Sequence, residues 1–134
     1  MDKLNKEGLL KLLETVKCDK EEFWLLSTSL LVFRGIEEYA GDLDIAVSDK
    51  GFEELSKNYD LKPKGDGFYI VTDKIEAVCD GPKELLKYQP EKVGDYYTQN
   101  IFEYREYLLK SDREKDIRRL ALVEEYIKNN YETR

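Results

Sequence analysis

Leu9, Leu12, Leu13 and Val16 recur at helical spacing behind Leu4, so Lys3 to Lys17 is predicted as an amphipathic helix with its lysines and glutamates in water and its leucine face needing a partner. Phe23 to Leu26 is a short apolar run. Ser27-Thr28-Ser29 interrupts it, and Leu30 to Ile36 resumes it, which reads as strand, hydroxyl-rich turn and helix. From Asp42 to Val47 the period changes to two: Leu43, Ile45 and Val47 alternate with Asp42, Asp44 and Ala46, so a strand here carries two aspartates on one face. Gly51 to Tyr59 reads as a short helix. Phe68 to Thr72 and Ile75 to Cys79 read as two strands of a hairpin joined through Asp73-Lys74. After Gly81-Pro82 the remainder is expected to be helical, near Lys83 to Tyr88, from about Thr98 to Leu109, and from Asp112 to about Tyr131. Ile117, Leu120, Val123 and Ile127 form the apolar stripe of the last segment.

This order describes an α/β chain of the α+β type: a small mixed sheet with flanking helices and a C-terminal helical tail. Its 134 residues fit a single domain, with residues 1–80 as the sheet-containing core and 81–134 as the tail.

Charge and composition narrow the chemistry. Lys plus Arg number 22 against 29 Asp plus Glu, a net charge of −7 that disfavours non-specific binding to duplex nucleic acid. Histidine is absent, which removes Ser-His-Asp and Cys-His nucleophiles and the usual zinc sites, so catalysis must rest on carboxylates, amines, hydroxyls or metals. Cys18 and Cys79 lack metal-ligand spacing and read as reduced core thiols of a cytoplasmic protein, without a disulfide. The N-terminus has no apolar core of a signal peptide, and no window approaches the roughly 18 apolar residues of a membrane span, so no membrane partner is expected.

The aspartates carry the strongest chemical signal. Asp42 and Asp44, about 7 Å apart on one strand face, suit hard divalent cations, and Asp is otherwise depleted in strands. A polar strand edge is the competing explanation. Glu76, in the alternation Ile75-Glu76-Ala77, is the best-placed third carboxylate, ahead of Asp80 and Asp73. A nuclease site of the Asp…Glu-x-Lys type is disfavoured, because Val78 stands where its lysine would be. Ser27, Thr28 and Ser29 offer hydroxyls to phosphate oxygens, although Ser and Thr are also ordinary helix caps. Arg113, Lys115, Arg118 and Arg119 give a local positive excess at the start of the last helix, where Lys115 and Arg119 lie one turn apart. Tyr104 reads as core. Tyr96, Tyr97 and Tyr107 are candidates for stacking on a base.

Together these pieces resemble the nucleotidyltransferase superfamily with the DNA polymerase beta-like fold, in its minimal bacterial and archaeal forms. The resemblance lies in Leu25-Leu26-Ser27-Thr28-Ser29-Leu30-Leu31-Val32-Phe33-Arg34-Gly35-Ile36 followed by Gly41-Asp42-Leu43-Asp44-Ile45, and in the tail segment Arg113-Glu114-Lys115-Asp116-Ile117. It implies Mg²⁺-dependent transfer of a nucleoside monophosphate from ATP or another nucleoside triphosphate to a hydroxyl of a small molecule or protein. Asp42 and Asp44 would then hold two Mg²⁺ ions, Glu76 would act as base or third ligand, Ser27 to Ser29 would cradle the phosphates, and Lys115 would approach the triphosphate. The chain departs from the family in three places: Ser27 replaces the usual glycine, the third acid is Glu rather than Asp, and Arg119 stands where a further acid often follows. The alternative is a catalytically silent binding or regulatory module, such as a toxin–antitoxin type component, that keeps the fold. A homodimer in which a second copy completes the acceptor pocket is compatible with the short chain.

Overall fold

The alternation at Leu43 to Val47 sits at the centre of the protein. In the computed structural model, which describes residues 3–131, β2 (Leu43–Val47) is the middle strand of one seven-stranded mixed sheet. On one side it pairs in parallel with β5 (Ile75–Cys79). β5 in turn pairs antiparallel with β4 (Phe68–Thr72), and β4 with the edge strand β3 (Lys62–Gly65). On the other side it pairs antiparallel with β1 (Phe23–Leu25), followed by β7 (Tyr96–Thr98) and β6 (Glu91–Val93). The α+β class and the β4–β5 hairpin agree with the sequence pattern.

The helices differ from it at their ends. α1 (Lys6–Leu13) is shorter than the predicted span. Asn5 caps it by accepting from the Gly8 N–H at 2.8 Å, while Leu4 is drawn into a β-bridge with Ala40. α2 (Ser27–Phe33) starts earlier than predicted, so the Ser-Thr-Ser segment is its first turn rather than a loop before it. α3 (Asp49–Asn58) is capped by the Ser48 hydroxyl. Gly51 lies so close to the Glu22 carbonyl that a Cβ would stand 2.5 Å from it, so glycine is required there. α4 (Ile101–Lys110) and α5 (Glu114–Tyr131) pack on each other.

The segment beyond residue 81 is not wholly helical. Near Lys83 the structure has only a 3-10 turn, Lys83–Leu85, and residues 91–98 form the β6–β7 hairpin that returns the chain to the sheet. Its physical cause is the Gly94-Asp95 turn, with Gly94 at φ +63°, between two triplets that alternate across the strand. Tyr96 and Thr98 are thereby buried beside β1.

Two apolar clusters meet at α2. Leu9, Leu13, Val32, Phe33, Leu43, Ile45, Val47 and Leu55 belong to the first, between α1, α3 and one face of the sheet. Leu30 and Leu31 join Ile101, Tyr104, Leu108, Val123 and Ile127 in the second, which confirms Tyr104 as core. Every side chain from Ser29 to Arg34 is consequently buried. Among the described residues no helix is long and apolar enough to cross a membrane.

Both cysteines are free and half-buried, packed against the first cluster instead of inside it. Cys79 misses full burial because β5 ends there, beside Asp49, whose carboxylate accepts from its thiol at 3.4 Å. Burial pushes the Cys18 thiol up to about 12, with Glu54 adding to the effect, and burial also raises Cys79. Both therefore remain protonated at neutral pH. Alkylation of the native protein by a bulky maleimide is expected to run at least about tenfold slower than in urea-unfolded protein, and equal rates would contradict this placement.

Candidate active site

Leu43, Ile45, Val47, Ile75 and Ala77 point into the first apolar cluster, so the residues alternating with them leave the sheet on its opposite face. Asp44 and Glu76 are register partners on the parallel strands β2 and β5, and their side chains stand next to each other on that face. Asp42 lies two residues before Asp44, at the entrance to β2.

Backbone hydrogen bonds fix this entrance. The fully buried Ser29 hydroxyl donates to the Asp42 carbonyl at 2.8 Å and accepts from the Asp44 N–H at 2.9 Å, bracketing the Asp-Leu-Asp segment. Leu26 N–H donates to the Asp44 carbonyl at 2.9 Å. Ser29 thus positions the aspartates rather than presenting its hydroxyl to a ligand. Ser27 is exposed, and its φ of +53° places a non-glycine residue in the left-handed region, at the position where the family resemblance expects glycine.

The Asp44 carboxyl titrates well above the usual carboxylate range. Burial first, then the charges of Glu76 and Asp42, push its carboxyl up to about 6 against the opposing effect of Lys64. Its Oδ1 is buried and has no hydrogen-bond partner among the described residues. The ammonium of Lys64 reaches Glu76 Oε2 at 2.5 Å. Asp44, Lys64, Gly65, Asp66, Phe68 and Glu76 line an open hollow of about 290 Å³.

Among the described residues no three His, Cys, Asp or Glu side chains converge closely enough to enclose a metal ion by themselves. A magnesium-type ion does not require such a cage, since it keeps several waters and takes one or two carboxylates together with substrate phosphates. The orphaned Asp44 Oδ1 and the lysine cation already held at Glu76 show that this site accommodates positive charge.

The remaining candidates separate clearly. Asp80 lies beyond the far end of β5, and Asp73 is exposed in the β4–β5 turn, which leaves Glu76 as the third acid beside the aspartates. Lys115 is exposed on the first turn of α5, while Asp116 beside it is fully buried. Burial acts to raise the Asp116 carboxyl, but the Ser111 hydroxyl and the Arg113 guanidinium outweigh it and hold the group below the usual range. It is Arg119 that reaches the hydroxyl turn, donating to Thr28 Oγ1 at 3.2 Å.

No family model, curated protein or solved structure matches the chain. The functional reading therefore stands on the site itself. Of the three tyrosines offered for base stacking, none lines the hollow. Tyr96 is buried against Phe23 and Phe33, Tyr97 donates to Glu21, and Tyr107 accepts from Arg113. The aromatic ring that does line it is Phe68. Lys64 and Phe68 are the residues that the spacing argument did not place, whereas Arg119 is already named beside Lys115 in the local positive excess. The turn Gly65-Asp66-Gly67 directly before a strand is the signal that marks both missed residues.

Proposed function

We propose that the protein transfers a nucleoside monophosphate from ATP or another nucleoside triphosphate to a hydroxyl group of a small molecule or protein. The observation that carries this reading is the register pairing of Asp44 with Glu76, with Asp42 at the strand entrance and the segment pinned by Ser29. Asp42, Asp44 and Glu76 would hold Mg²⁺, which when bound supplies charge neutralisation at the reacting phosphate and its leaving group. Glu76 stands where it can complete the ligand set or take the proton of the acceptor hydroxyl on a carboxylate oxygen. Thr28 and the exposed Ser27, in the turn that carries Ser29, together with Arg119 bonded to Thr28, would suit the phosphates, with Arg119 taking over the part that the resemblance gives to Lys115. Phe68 offers the base an apolar wall.

The test is a thermal denaturation series with each nucleoside triphosphate, with Mg²⁺ and with EDTA. A ligand at a hundredfold excess over its Kd stabilises by about 2.7 kcal/mol, a shift of several degrees. The expected result is such a shift with at least one triphosphate, abolished by EDTA. No shift with any of them would favour the catalytically silent module.

A further inference from the structure

Lys64 sits where β3 departs from regular pairing. Lys62 faces Ile70 and Pro63 faces Tyr69, but the next pair is Gly65 with Phe68, so Lys64 is the extra residue of a β-bulge. Bulges re-aim side chains and recur beside active sites. Here the re-aimed side chain spans β4 and meets Glu76 on β5. Lys62, Ile70, Glu76 and Asp44 form one lateral row across β3, β4, β5 and β2, so the bulge lies directly alongside the carboxylates.

Stability does not account for this contact. The Lys64 side chain is 50% exposed on an edge strand whose residues are all exposed, and ion pairs of that kind contribute little. The chain then turns through Gly65, Asp66 and Gly67, all at positive φ, a conformation that glycine tolerates and that keeps the bulge next to the hollow. A strand made of Lys-Pro-Lys-Gly, with little apolar surface of its own, delivers an ammonium to a group of carboxylates that includes an unpaired buried oxygen.

We propose that Lys64 is a binding residue of this site with two alternative partners: the Glu76 carboxylate while no divalent cation is present, and the phosphate oxygens of the triphosphate once the carboxylates hold one. The proposal rests on the reading of Asp42, Asp44 and Glu76 as a metal–nucleotide site. An ammonium at 2.5 Å from Glu76 and a divalent cation on the same carboxylates repel each other, so one excludes the other. Displaced, the lysine still lines the hollow on a flexible stem with three donors, and the triphosphate is the anion that such a point charge recognises.

Mn²⁺ binding measured by electron paramagnetic resonance, with and without ATP, tests this without any turnover. Lys64→Met is expected to bind Mn²⁺ alone about tenfold more tightly than wild type, because the competing cation is gone, and to bind ATP in the presence of Mn²⁺ about tenfold more weakly. Lys57→Met, an exposed lysine on α3 away from this row, is expected to change neither affinity by more than about twofold. Wild-type affinities for both ligands in Lys64→Met would overturn the alternation while leaving the site reading intact. Tighter Mn²⁺ with unchanged ATP affinity would overturn the second partner. A wild type that binds neither Mn²⁺ nor ATP would overturn the proposal and the site reading together.

Discussion

Replacing Arg34 with alanine is expected to destabilise the protein by about 3 to 5 kcal/mol, the range observed when one member of a buried ion pair is removed. Only 1% of the Arg34 side chain is exposed, and its guanidinium joins four elements. Nε and one terminal nitrogen donate to Thr98 Oγ1 at 3.1 and 2.6 Å. The same terminal nitrogen pairs with Glu91 at 2.9 Å, and the other donates to the Tyr126 and Tyr131 hydroxyls at 3.3 and 3.2 Å. Glu91 is itself committed, accepting from Ile101 N–H at the start of α4 and from Tyr131 on α5. Arg34 follows the last residue of α2, so this one side chain fastens α2 to the β6–β7 hairpin and to the C-terminal helix.

Truncation leaves the Glu91 carboxylate without its cation and the Thr98 hydroxyl without its donors. Lysine cannot substitute, because a single ammonium does not reproduce the planar fork that serves four side chains at once. Urea denaturation of wild type, R34A, R34K and the double variant R34M/E91L checks the account. The single variants should lose stability, and the double variant should recover at least half of the R34A loss by removing the stranded charge. A loss below about 1 kcal/mol in R34A would mean that the network does not hold the tail to the sheet.

The same network explains why part of the fold was hard to read along the chain. β2 and β5 announce themselves through five-residue alternations, and β4 through an unbroken run of aromatic and β-branched residues. β6 and β7 span three residues each, too few for a period to emerge, and what secures them is an arginine more than fifty residues earlier. β3 lacks β-forming residues altogether and exists because β4 offers it an open edge. The site divides along the same line. Strand alternation alone puts Asp44 and Glu76 on one face, since the period of two fixes the face of each, while Asp42 stands just outside β2. The cation at these carboxylates is not local: Lys64 arrives across an intervening strand through a bulge. Arg119 rather than Lys115 meets Thr28 because the rotation of α5 against α2 is set by the packing of Leu30, Leu31, Val123 and Ile127.

Asp44→Asn is expected to raise the stability of the ligand-free protein at pH 7 while abolishing its stabilisation by Mg²⁺ and ATP. In the folded state the Asp44 carboxyl is pushed up to about 6 by burial and by Glu76 and Asp42, so folding favours its protonated form. Below its ordinary value near 4 the group is protonated both folded and unfolded and costs nothing. As pH rises towards 6 the unfolded chain gains the freedom to ionise first, and stability falls. Above 6 the loss is complete and amounts to about 3 kcal/mol at most. Asparagine removes the charge but keeps a partly buried polar group, so a gain of about 1 to 3 kcal/mol at pH 7 is expected, vanishing near pH 4. Thermal denaturation of both proteins from pH 4 to pH 7.5 reads this directly as a difference that opens only above pH 4. The two effects run in opposite directions, so loss of the nucleotide response cannot be blamed on a damaged fold. A variant with wild-type stability at pH 7, or one that keeps the full Mg²⁺–ATP shift, would take Asp44 out of the site.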